Sequence, residues 1–77
     1  MNVHLHRHLT PHRISAEQAL SRFRIALSMD GLILPSLGLD APSLVTGQVL
    51  IELGRARPET VRRISDLLIA GIAVADR

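Results

Sequence analysis

One aromatic side chain, Phe23, and no cysteine are all that a chain of 77 residues offers beyond short aliphatic groups for filling a core. No disulfide can close such a core. A chain of this length buries only about 60% of the surface that its unfolded form exposes, and comparable scaffolds lean on disulfides, a metal or a partner subunit. With disulfides excluded, association with a second subunit is the first expectation and a metal the second. The same composition excludes a Cys-ligated zinc site, an iron–sulfur centre and a thiol nucleophile. It also leaves no row of aromatic rings on which single-stranded nucleic acid could stack. With 47% apolar and 21% charged residues the chain has the balance of a folded domain. Its length sets a single domain over 1–77.

The N-terminal segment carries a period of two. Val3, Leu5 and Leu9 alternate with His4, His6 and His8, the pattern of a half-buried strand. Pro11 ends the run, so 1–12 reads as a His-rich extended segment or tail. Its strand partner would be Leu32-Ile33-Leu34 or a second subunit. On a strand the three imidazoles share one face at a spacing of about 6.6 Å. Neutral imidazoles so placed can hold zinc, copper or nickel, with His12 as a fourth ligand. No carboxylate lies near them in sequence to orient the rings. The segment has no apolar core of the kind an export signal needs, so the expected compartment is the cytoplasm. The longest apolar run, Leu67 to Ala75, is about half of what a membrane span requires, so no membrane partner is expected.

Three helices follow from periodicity and caps. Ser15 with Gln18 three residues on forms a capping box. Ala16, Ala19, Leu20, Phe23, Ala26 and Leu27 then repeat at helical spacing, and Gly31 supplies the stop, which gives a helix over about 16–29. Gly31, Pro35, Gly38 and Pro42 break the next stretch into a loop. That loop is oily, with Leu32, Ile33, Leu34 and Leu37, although a loop backbone ordinarily needs water. Asp40 as cap and Pro42 in the first turn open a second helix over 42–53, apolar nearly all round. Pro58 and Glu59 open a third over 58–75. Its stripe is Val61, Ile64, Leu67, Leu68, Gly71, Ile72 and Ala75, and Glu59–Arg63 and Arg62–Asp66 are i,i+4 pairs. From Leu67 onward it is also apolar on the outer side, at Ile69, Ala70, Ala73 and Val74.

The expected fold is therefore all-α: a three-helix domain with an N-terminal extended or strand segment, dimeric. The expected function is a small non-enzymatic protein-binding module, a regulator, adaptor or inhibitor, that meets another protein or itself. Leu32, Ile33, Leu34 and Leu37 in the loop, with Ile69, Ala73 and Val74 on the last helix, would make the apolar contact, and either Arg22 and Arg24 or Arg55 and Arg57 a charged rim. No cofactor is expected. The carboxylates are scattered, no spacing joins a nucleophile, base and orienter, and no glycine-rich phosphate loop occurs. All nine cationic side chains are arginine and the formal net charge is +2. Arg55, Arg57, Arg62 and Arg63 gather around the start of the third helix. With the second helix they resemble a helix–turn–helix in length, so the alternative is a small DNA-binding regulator. A metal-binding protein using His4, His6 and His8 is the third option.

Overall fold

The computed structural model describes residues 10–76, and within them there are two α-helices rather than three. Helix α1 spans Pro11–Met29, strand β1 Gly38–Leu39, a 3-10 turn Ala41–Val45, strand β2 Ile51–Glu52, and helix α2 Pro58–Ala75. The two strands pair antiparallel, Gly38 opposite Glu52 and Leu39 opposite Ile51. The three-helix, all-α expectation is thus corrected: a 3-10 turn and strand β2 stand where the middle helix was placed, and β2 pairs with β1 just ahead of it. The strand expected within the first nine residues lies outside the described residues, and Leu32–Leu34 belongs to no strand.

Helix α1 starts five residues before the expected bound. Thr10 is its cap, with Oγ1 accepting from the Arg13 amide at 3.2 Å, and Pro11 fills the first turn, where a missing N–H is harmless. Pro11 therefore opens a helix instead of ending a strand, and the extended reading of 1–12 is corrected at Pro11 and His12. The other end is a Schellman motif. The Gly31 amide donates to Ser28 O and the Leu32 amide to Leu27 O, with Gly31 at φ +70. Ala16, Leu20 and Leu27 are the buried residues of this helix, and Ala19 and Ala26 stay exposed.

The middle segment has the expected cap and little helix after it. The Asp40 carboxylate accepts from the Ser43 amide at 3.1 Å, and Pro42 sits in the turn. The Ser43 hydroxyl donates to Asp40 O and accepts from the Leu50 amide, while the Thr46 hydroxyl donates to Ser43 O. Side chains thereby take backbone groups that a continuing helix would use. Gly47, at φ +82, then turns the chain out of helical geometry. Beyond it Val49 and Ile51 point partly inward and Leu50 and Glu52 outward, a period of two rather than 3.6. Val45 is 88% exposed, so this segment is not the central, all-round buried element that its composition suggests.

The core is small. Ala16, Leu20, Leu27 and Leu37 are buried, Phe23, Leu32, Leu34, Leu39, Ile51 and Ile64 pack on it partly covered, and no described side chain is fully enclosed. Arg24 on α1 donates to the Leu37 carbonyl at 2.8 Å and ties the helix to the loop. Among the described residues no helix is long and apolar enough to cross a membrane.

Candidate interaction surface

Helix α2 has eighteen residues and none of them is buried. It opens at Pro58 with no side chain capping its free amides, and Asp76 closes it. Ile64 is its contribution to the core. Its second attachment is ionic: Arg63 Nε and Nη2 donate to the two carboxylate oxygens of Asp30, each at 2.7 Å. This fork-to-fork pair joins the end of α1 to the second turn of α2. The pairing expected between Arg63 and Glu59 gives way to a partner 33 residues distant in sequence.

The hydrogen bonds from Arg63 hold the Asp30 carboxyl below its ordinary value of 3.8, partial burial works the other way, and the arginine charge adds to the lowering. The guanidinium is correspondingly raised. A carboxyl depressed in the folded state stabilises it above its unfolded pKa and ceases to do so as pH falls through its folded one. The attachment of α2 is therefore expected to be intact near neutrality and to loosen below about pH 4. Hydrogen exchange across 58–66, compared at pH 6 and pH 3 in the native chain and in Asp30→Asn, checks this. The native chain should lose protection between the two conditions more than the variant does, and equal losses would show that the pair does not hold the helix.

Along α2 the exposed aliphatic groups are numerous. Val61 is 50% exposed, Leu67 40%, Leu68 and Ile72 61%, Ile69 65% and Val74 68%. Ala73 is exposed beside them. The three contact residues expected on this helix, Ile69, Ala73 and Val74, are thus all at the surface. The loop residues divide. Leu37 is buried and Leu32 and Leu34 pack on the core, whereas Ile33 is 74% exposed. Of the four, Ile33 alone offers most of its surface to a partner. Leu68 and Ile72, assigned from sequence to the inner stripe, are the groups that sequence reasoning missed. The available signal was one of supply: the stripe holds more apolar residues than so small a body can cover.

The expected charged rim is partly engaged. Arg24 is tied to Leu37, and Arg22 is exposed. Arg55 and Arg57 border an open cleft of about 630 Å³ together with Leu32, Ile33, Pro35, Ala56 and Thr60. Arg62 is exposed and Arg63 is paired with Asp30. The helix–turn–helix arrangement of 43–75 is absent, because its first helix is a 3-10 turn followed by a strand. His4, His6 and His8 lie outside the described residues, and His12 is exposed in the first turn of α1. Among the described residues no group of three or more His, Asp or Glu side chains comes together to hold a metal. A second open cleft contains His12, Ser15 and Thr46 but no carboxylate to orient the imidazole. No protein family matches the chain, and neither a curated protein nor a solved structure shows significant similarity to it.

Proposed function

We propose that this protein is a small non-enzymatic protein-binding module, a regulator, adaptor or inhibitor, that works through the aliphatic surface of α2. One observation carries the reading: an eighteen-residue amphipathic helix leaves all its residues at least partly exposed, although Leu68, Ile69, Ile72 and Val74 are each more than 60% exposed. Aliphatic side chains stay exposed to water only at a cost in free energy, and a contiguous exposed set of them on a small domain marks an association surface. Ile33 extends the apolar character onto the loop, and Arg55 and Arg57 supply a polar margin near the helix start.

The test compares the native chain with Ile69→Asp and Leu68→Asp, two changes at exposed positions that leave the core untouched. Solution mass and capture from a lysate, with and without nuclease, are measured for each. The expected result is that at least one association of the native chain weakens tenfold or more in a variant and is indifferent to nuclease. If solution mass and captured proteins are the same for all three chains, the surface is not used and the reading fails. Capture that vanishes with nuclease would instead move attention to Arg55, Arg57 and Arg62.

A further inference from the structure

We propose that the slot between the loop after α1 and the connector before α2 takes an extended segment of a partner protein in which acidic and aliphatic residues alternate, its carboxylates facing Arg55 and Arg57. This rests on the reading of the chain as a protein-binding module and names the chemistry of a partner at the start of α2.

The slot is built by two contacts that lie just outside it. Gly31, Leu32, Ile33 and Pro35 form one wall, and Arg55, Ala56, Arg57 and Thr60 form the other. Immediately before the first wall, Asp30 accepts both hydrogen bonds of Arg63, which stands three residues past Thr60. Immediately after it, Ser36 packs on Gly54, one residue ahead of Arg55, so closely that a β-carbon on Gly54 would stand 2.6 Å from Ser36 Cβ. The walls are thus pinned at both ends. Between the pins no backbone hydrogen bond crosses from one wall to the other. They leave about 630 Å³ open, within the range of about 300–1,000 Å³ found for ligand sites.

Charge sets the first requirement on an occupant. Along the connector Arg55 and Arg57 are exposed and Ala56 is partly covered, and Arg57 is extended at φ −69 and ψ 150. Two residues of extended chain set the arginines about 6–7 Å apart on one face, and both line the slot. The arginine side chains that bond within the described residues are those of Arg13, Arg24 and Arg63, so Arg55 and Arg57 keep their donors for another molecule. No Asp or Glu lines the slot. Asp30 at its end is taken by Arg63, and neither Glu52 nor Glu59 forms an ion pair with Arg55 or Arg57. Glu59 offsets the dipole at the helix start, which leaves the two guanidinium groups as the field inside the slot. Their planar forks suit carboxylates.

The facing wall sets the second requirement. Leu32, Ile33 and Pro35 are apolar, and Ile33 is 74% exposed. A bare anion or a phosphate backbone gains nothing from them, whereas an aliphatic side chain removes their surface from water. In an extended peptide successive side chains point to opposite sides. Alternation therefore carries carboxylates to the arginine wall, at the same 6–7 Å repeat of about two residues, and aliphatic groups to the loop wall.

Two end-capped, fluorescent hexapeptides added to the full chain test this. One alternates aspartate with leucine and the other asparagine with leucine, so they differ in charge alone. The aspartate peptide is expected to bind at least tenfold more tightly than its counterpart and to weaken as salt is raised. Arg55→Gln and Arg57→Gln together should weaken it at least tenfold, with helical signal and melting temperature unchanged, because neither side chain bonds within the fold. Ile33→Ser should weaken it at least threefold. No saturation by the aspartate peptide at hundreds of micromolar, or equal binding by the native chain and the double variant, overturns the proposal. Arginine-dependent binding of inorganic phosphate or of a short DNA duplex, tighter than that of the aspartate peptide, overturns a peptide as the occupant. If the peptide does not bind while Leu68→Asp still removes a captured protein, the slot fails and the protein-binding function stands. If the peptide binds Leu68→Asp as it binds the native chain, and that change leaves captured proteins and solution mass untouched, the slot stands and the aliphatic surface of α2 fails.

Discussion

Replacing Gly54 by alanine is expected to destabilise the domain by about 3 kcal/mol, the sum of a left-handed backbone penalty of about 1–2 kcal/mol and the cost of overpacking. Gly54 has φ +75, and a β-carbon there would stand 2.6 Å from Ser36 Cβ and 3.3 Å from two Ser36 backbone carbons. The clash is with backbone and a first side-chain atom, so no flexible group can swing away. The position matters because Gly54 lies between β2 and α2 and packs the connector against the loop after α1. For a domain of this size the loss corresponds to a fall in melting temperature of about 12–24 °C, readable by circular dichroism at one fixed protein concentration. Gly47→Ala is the control. It has a similar φ of +82 but open space around it, so it should carry the backbone penalty without the clash. Ser36→Gly in the Gly54→Ala background should restore part of the stability by removing one side of the contact. Equal effects at Gly47 and Gly54 would show that connector and loop do not meet as described.

The same glycines show how much of this fold can be read from residues alone. Gly31 could be assigned, because a left-handed residue followed by a leucine that returns to the core is a local pattern, and the Schellman bonds form there. Pro58 with Glu59 likewise marks the start of the last helix, whose bounds are Pro58–Ala75. Thr10-Pro11 is an equally local helix start, but the alternating histidines before it suggest a strand that Pro11 terminates. The middle segment misleads for a different reason. Asp40 and Pro42 do cap a turn, and composition beyond them is aliphatic enough for a helix. The deciding features are Gly47 as a terminator and the alternation of Val49 and Ile51 with Leu50 and Glu52, a short signal that a caps-first reading overrides.

The candidate surface divides in the same way. That the end of α2 is too apolar for its surroundings follows from the unbroken run Leu67 to Ala75. Which side faces the core does not, because Ile64 and the Arg63–Asp30 pair set the rotation of the helix through contacts distant in sequence. The oily loop carries the reverse lesson. Leu32, Leu34 and Leu37 look like a docking patch in a segment that glycine and proline keep irregular, yet they supply the side of the core opposite α1. A domain with one aromatic group has few ways to fill its centre, and it draws on loop leucines to do so.

Leu27→Ala tests that account of the core and is expected to cost about 2–4 kcal/mol, within the range for removing buried leucine atoms. Leu27 is 6% exposed and belongs to the cluster with Leu20 and Leu37 on which Leu32 and Ile64 pack. Its backbone carbonyl also accepts the Leu32 amide that closes α1, so one residue anchors both the helix end and the returning loop. No described side chain is fully enclosed, so the cavity can partly collapse, which holds the cost below the upper end of the range for large cores. Self-association through the proposed α2 surface would add stability that grows with protein concentration, since a partner that binds only the folded chain draws the equilibrium toward it. Urea titrations of the native chain and of Leu27→Ala at several concentrations separate the two contributions. The concentration dependence should be similar in both chains, because the change lies in the cluster and not among the exposed groups of α2. A loss below about 1 kcal/mol would place Leu27 outside the core. A loss that disappears at high concentration would mean that association, rather than the internal cluster, holds the fold together.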